Sequence, residues 1–196
     1  MKRLVIITVG KTHSGKTTFA KELEKELPNS FIMDQDNQAE FINTHYEKLQ
    51  PTEGSNTLKH GLSKFIVDYA KEHSNLHLII CNSNCSKNGR FYLLNELFPQ
   101  NEYVRILVHF DIPDDVLYER VGLSKRSTNI FRGNYSSFKE VLHRQQAESL
   151  HEDVVDPVEN EADYLLVIRN SKDVNSTTLK IIHIAKEYSP IRNKRL

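Results

Sequence analysis

A three-layer α/β/α fold, α/β in class and built on a five-stranded parallel sheet, is predicted from two observations on this 196-residue chain. Five short apolar runs alternate with amphipathic stretches, the pattern of parallel strands joined by crossover helices. The first run passes through a glycine-bearing turn straight into a helical face, the order that opens many such sheets.

The elements follow in order. Residues 4–9 are wholly apolar or β-branched and read as the first strand. Phe19, Ala20, Leu23 and Leu27 repeat at helical spacing over 15–27, and Pro28-Asn29 stops that helix. A short strand at 31–33 leads into Asp34-Gln35-Asp36, a capped turn before a segment at 37–49. Leu58, Leu62, Phe65, Ile66 and Tyr69 mark a second helical stripe, and 76–81 and 104–110 read as the third and fourth strands. Pro113 followed by Asp114 and Asp115 opens a helix, since proline suits the first turn and acids there complement the dipole. Ser137-Phe138-Lys139-Glu140 fits a capping box whose helix runs toward Leu150. A fifth strand at 164–168 and a helix at 176–188 complete the pattern. Residues 121–136 are polar and basic, with Gly122 and Gly133, and lie between two helices; a lid over about 120–136 is expected there.

Length favours one domain over 1–196. Hydrophobic residues make up 38% and charged residues 27%, and no apolar run nears a bilayer's thickness, so no membrane association is expected. The opening apolar run is too short for a secretory signal. Cys81 and Cys85 cannot form a disulfide framework or complete a tetrahedral zinc site, which points to a reducing cytoplasm. Twenty-six basic residues balance twenty-six acidic ones, leaving no global field for long nucleic acid. The basic tail at 192–195 reads as a solvated terminus. Nine scattered histidines form no pair at metal spacing beside a carboxylate.

The chemistry sits after the first strand. Gly10-Lys11-Thr12-His13-Ser14-Gly15-Lys16-Thr17 has the form Gly-x-x-x-x-Gly-Lys-Thr, with Thr18 following on the helix. The backbone amides of such a loop surround phosphate oxygens, the lysine reaches the β and γ phosphates, and the threonine hydroxyl serves Mg²⁺. ATP and Mg²⁺ are therefore the expected cofactors. The chain lacks an Asn-Lys-x-Asp base-reading motif, since Asn170-Ser171-Lys172-Asp173 has the wrong spacing, and lacks Leu-Ser-Gly-Gly-Gln, which leaves a small kinase. The carboxylates of Asp34 and Asp36 border the expected acceptor pocket, where one can steer or deprotonate a hydroxyl.

With Asp34-Gln35-Asp36 after the second strand, Cys81-Asn82-Ser83-Asn84 after the third, then Gly89-Arg90, and an arginine-bearing lid, the chain resembles the P-loop kinases grouped around polynucleotide kinase, with shikimate, gluconate and nucleoside monophosphate kinases as wider relatives. The resemblance implies a P-loop NTPase fold of the kinase type with a helical lid. It makes Lys16 and Thr17 the ATP and Mg²⁺ contacts, Asp36 the hydroxyl-activating carboxylate and Asp34 its companion and a metal-side ligand. It turns Asn84 and Arg90 toward the acceptor, with Arg120 facing inward, and places Arg126 and Arg132 of the lid on the transferring phosphoryl. The sequence departs from the family where Asn82 replaces a metal-shell aspartate, His13 a loop glycine and Ala39 a substrate arginine. The expected reaction is transfer of the γ-phosphoryl of ATP to a nucleotide-type acceptor, first a (deoxy)nucleoside monophosphate in nucleotide metabolism. Hydroxyl acceptors (a nucleic acid 5′ end, a nucleoside, a sugar or a shikimate-like acid) and a non-catalytic ATP-binding switch are the alternatives.

Overall fold

Strand β1 (Arg3–Val9) is buried at six of its seven positions, which is what a strand covered by helices on both faces requires. The computed structural model describes residues 2–132 and 135–188; Gly133 and the basic tail lie outside the described residues. Around β1 stand β2 (Ser30–Met33), β3 (His77–Ile80), β4 (Tyr103–Phe110) and β5 (Tyr164–Ile168). Their order is β2-β3-β1-β4-β5, and every pairing is parallel. Ile6 lies beside Ile79 on one side and Ile106 on the other. The sheet matches the predicted α/β class and strand count.

Alternation along β1 divides the core in two. Leu4 and Ile6 join Phe19, Ala20 and Leu23 of α1 (Lys16–Glu26) and Ile181, Ile184 and Ala185 of α7 (Lys172–Tyr188) on one face. Leu117 of α5 (Asp114–Gly122) and Leu142 of α6 (Phe138–Glu148) close the same cluster. Val5, Ile7 and Val9 face the other way, against Val67 of α3 (Thr57–His73) and Leu94, Leu97 and Phe98 beyond α4 (Lys87–Phe91). Each fully buried aliphatic side chain contributes about 1.5–3 kcal/mol, so both faces hold β1, and the loop that follows it, firmly in place.

Local hydrogen bonds move several element ends from their expected places. Asp34 accepts from the Asp36 amide and starts α2 (Gln35–His45) directly after β2, with no separate turn. Asn56 caps α3 through the Lys59 amide, which lengthens the helix beyond 58–69. Asp173 accepts from the Arg169 and Asn170 amides, so α7 begins at 172 and not 176. The π-helical turn Tyr92–Leu97 that continues α4 was not predicted. Among its described residues the lid is helical only at 120–122, the last turn of α5; 123–132, 135 and 136 carry no helix, unlike the helical lid expected. It is docked, because Asn43 donates to the Phe131 carbonyl at 2.8 Å, Asn129 to the Thr44 hydroxyl at 3.0 Å, and Arg126 pairs with Asp36. Among the described residues no helix is long and apolar enough to cross a membrane.

Candidate active site

The end of β1 sets the site. Gly10 takes φ +147°, and its amide donates to the Ser83 carbonyl at 2.8 Å, tying the loop to the turn after β3. Gly15, at φ +104°, precedes the first turn of α1, so loop amides and the positive end of the helix dipole face the same space. A Cβ on Gly10 would lie 3.0 Å from both Cβ and O of Phe110 and 3.2 Å from Ser14 Oγ. Gly10→Ala is expected to lower stability by about 1–3 kcal/mol through this crowding and to weaken ATP binding; thermal melts with and without an ATP analogue check both effects.

Lys16 Nζ curls back over the loop and donates to the Lys11 carbonyl at 2.5 Å and Ser14 Oγ at 3.1 Å. Burial pushes this ammonium below the ordinary lysine value. Thr17 Oγ1 donates to Asp34 Oδ2 at 3.3 Å, and burial, helped by the Asp36 charge, pushes the Asp34 carboxyl up. A buried carboxylate beside a hydroxyl, with no ion-pair partner among the described residues, is a hard-oxygen pair of the kind Mg²⁺ accepts. Cys81 lies beneath Thr17, its sulfur 3.6 Å from the hydroxyl, and burial pushes its thiol up to about 11. It packs as an inert thiol and not as a nucleophile.

A cavity of about 1100 Å³ runs from this loop across to α2, α3, the lid and α6. Thr12 to Thr18 line one end; Gln35, Asp36 and Ala39 of α2 and Arg126 and Arg132 of the lid line the other. Ile112, Ile168 and Val174 add apolar lining, with Asn170 and Ser171. Among the described residues the lining carries eight lysines and arginines against Glu22 and Asp36, in a chain whose formal charge is zero. The lining is therefore strongly cationic, which favours anionic ligands.

The structure redraws several expected contacts. Arg90 is fully buried, outside the cavity lining, and spans Glu161 with Nε at 2.7 Å and Nη2 at 3.0 Å, so it supports the fold and cannot grip an acceptor. Asn84 also faces away: at φ +47° its amide donates to the Thr8 carbonyl at 2.8 Å. The Lys11 side chain pairs with Asp114 at 2.7 Å, so Lys11 serves the loop through its backbone, whose carbonyl accepts from Lys16. Arg120 donates to the His13 and Ser14 carbonyls, each at 3.2 Å, and so sits at the phosphate loop and not at the acceptor end. Arg132 reaches the Pro51 and Gly54 carbonyls in the loop that precedes α3. Asn82 lines the cavity and accepts from the Gln35 amide at 3.1 Å.

Gln145, Lys59 and Arg144 line the cavity without a recognisable signal in the sequence, whereas His13 was already legible as part of the phosphate loop. Gln145 of α6 accepts from the Thr12 amide at 2.7 Å and so shapes the phosphate loop from the far side of the lid. His13 bridges Thr12 Oγ1 at 3.0 Å and Ser124 Oγ at 2.7 Å, with its ring edge-on to Phe138. Burial, then the charges of Arg126, Lys16 and Arg120, hold its imidazole below the ordinary histidine value. Lys59 and Arg144 also reach the acceptor end. By composition each could equally be a solvated helix position.

The family model described as AAA domain matches residues 5–152, a span that takes in the phosphate loop, the lid and α6. No curated protein matches the chain by sequence. Among solved structures it is similar to shikimate kinase from Bacteroides thetaiotaomicron, at 16% identity over 93% of this chain and 98% of that one, with a TM-score of 0.55. It is similar to Chaetomium thermophilum Kti12 in complex with ADP-AlF3, at 14% identity over 91% and 97%, with a TM-score of 0.60. It is also similar to the Mycobacterium tuberculosis APS kinase CysC in complex with AMPPNP and APS, at 15% identity over 94% and 98%, with a TM-score of 0.52. These likenesses are of fold.

Proposed function

The chain belongs to the AAA domain family, and from that membership we propose that it is a single-domain, ATP-dependent phosphotransferase acting on a nucleotide-type acceptor, first a (deoxy)nucleoside monophosphate. One observation carries the reading: the cavity that begins at the phosphate loop extends to a far chamber lined by Lys59, Arg126, Arg132 and Arg144. A triphosphate on the loop amides would engage Lys16 and Arg120, leaving the far cations for a second anion. Phe131, Tyr135 and Phe138 line that chamber and offer faces for a base.

Thr17 and Asp34 would hold Mg²⁺, which when bound offsets charge on the phosphates. Lys16 holds the β and γ phosphates, and Arg126, from the lid, reaches the transferring group once it leaves Asp36. For a phosphate acceptor, already ionised, Asp36 anchors a sugar hydroxyl or the base. A hydroxyl acceptor is the second reading, supported by this same carboxylate at the chamber floor, where it can take a proton. A soluble cytoplasmic setting suits either acceptor.

Incubation with labelled ATP and a panel of nucleoside monophosphates, nucleosides, 5′-hydroxyl oligonucleotides and sugars tests the proposal. Label is expected on a monophosphate, giving a diphosphate product. Asp36→Asn separates the readings: with a phosphate acceptor it raises KM and spares most of kcat, whereas with a hydroxyl acceptor kcat falls by roughly 10²–10⁴. ATP binding without transfer to any member of the panel would leave a nucleotide-binding switch in its place.

A further inference from the structure

We propose that Lys59, Arg132 and Arg144 together form a seat for a phosphate group carried by the acceptor, the place that Arg90 does not fill. The inference rests on the kinase reading of the cavity and names the chemistry its far chamber selects: a phosphate-bearing ligand over its uncharged counterpart.

The three cations come from separate elements. Lys59 lies in the first turn of α3, Arg132 in the lid and Arg144 in α6, and all line the cavity. Among the described residues the Lys59 ammonium has no hydrogen bond and no ion pair; its backbone amide donates to Asn56 Oδ1 at 3.1 Å and its carbonyl accepts from Ser63 Oγ at 2.8 Å. Burial pushes that ammonium below the ordinary lysine value, the charges of Arg132 and Arg144 act in the same direction, and Asp36 and Asp34 oppose them. Arg132 is held by two neutral carbonyls, those of Pro51 and Gly54, which fix its position without neutralising it. Arg144 lies over the Tyr135 ring at 4.8 Å and donates to its hydroxyl at 2.9 Å, while a half-exposed Glu148 pairs with it at 3.5 Å. The chamber's own carboxylate, Asp36, is engaged by Arg126.

Three converging cations with one peripheral acid between them repel one another, and the lid holds them together in spite of this. A dianion removes that repulsion, and a planar guanidinium binds it through paired hydrogen bonds. A neutral nucleoside or sugar would leave the repulsion in place. The seat also places ligand charge across the junction of α3, lid and α6, so a phosphorylated acceptor would favour the docked lid.

The test is calorimetric titration of the protein loaded with a non-hydrolysable ATP analogue, using the four deoxynucleoside monophosphates and the matching nucleosides. At least one monophosphate is expected to bind tenfold or more tightly than its nucleoside. Lys59→Met and Arg144→Leu should each shrink that ratio severalfold, while ATP-analogue affinity and melting temperature stay near wild type. Lys64→Met, one turn further along α3 and paired with Asp68, should change nothing. Equal binding of monophosphate and nucleoside, or an undiminished ratio in both variants, overturns the seat. If neither class binds while the ATP analogue does, the nucleotide-type acceptor fails, and sugar phosphates against free sugars decide the seat by the same ratio and variants. No phosphate-dependent binding in that series overturns it too. Failure of the ATP analogue itself condemns the kinase reading instead, and the ratio measured without analogue still decides the seat.

Discussion

Lys16→Ala is expected to reduce kcat/KM for phosphoryl transfer by on the order of 10³, equivalent to about 4 kcal/mol of transition-state stabilisation. Among the described residues the ammonium's hydrogen-bond partners are the Lys11 carbonyl and the Ser14 hydroxyl. Its burial disfavours the charged form, so charge kept here stores an interaction that a triphosphate can realise. An incoming γ-phosphate replaces two weak neutral acceptors with full opposite charge, and most strongly when charge builds on its oxygens during transfer. Folding should tolerate the change, because removing a desolvated cation removes a cost along with two hydrogen bonds. A melting temperature within a few degrees of wild type, an ATP analogue bound more weakly and transfer near background is the expected set of results. Transfer at the wild-type rate would refute the role given to this lysine.

The phosphate loop was legible because its chemistry leaves little choice of residue. Gly10 needs a positive φ and has Phe110 against it, Gly15 needs a positive φ, and Lys16 and Thr17 must follow at fixed spacing. The sheet was legible because strands covered on both faces read as continuous apolar runs, as 4–9 and 104–110 do. The acceptor end was not, because its residues come together only through the fold. Lys59 is separated by 73 positions from Arg132 and 85 from Arg144, and nothing in its immediate neighbourhood distinguishes it from a solvated lysine on an amphipathic helix. Arg90 misled for the same reason: an arginine after the third strand looks like an acceptor contact until Glu161 is seen against it. Short helices also escaped, since five residues containing Gly89 carry no periodicity; Ser86 starts α4 by accepting from the Gly89 amide, a contact visible only in three dimensions.

That buried pair produces the largest expected effect on stability. Glu161→Gln should destabilise the protein by about 3–5 kcal/mol, because it strips the compensating charge from a guanidinium with no exposure to solvent. Arg90 would keep the Asn84 and Cys85 carbonyls at 3.3 and 2.8 Å, but these dipoles do not replace a carboxylate bound through two nitrogens. Burial alone would raise the Glu161 carboxyl; the hydrogen bonds and charge of Arg90 outweigh it and hold the group below the ordinary glutamate value. A carboxyl depressed in the folded state contributes stability that is fully present above its unfolded value of about 4.3 and is lost as pH falls below that, through the folded value. Urea denaturation at stepped pH should therefore show wild type losing stability faster than Glu161→Gln below about pH 4.3, the two curves converging in acid. Asp34, pushed up by burial, contributes with the opposite sign, but it is common to both proteins and cancels in their difference. The turn that bears Asn84 and leads to Ser83, whose carbonyl holds Gly10, is anchored through Arg90, so Glu161→Gln should also weaken ATP-analogue binding although Glu161 touches no part of the cavity. A variant as stable as wild type at pH 7, or a difference curve flat through the acid range, would show that the pair does not hold this end of the sheet.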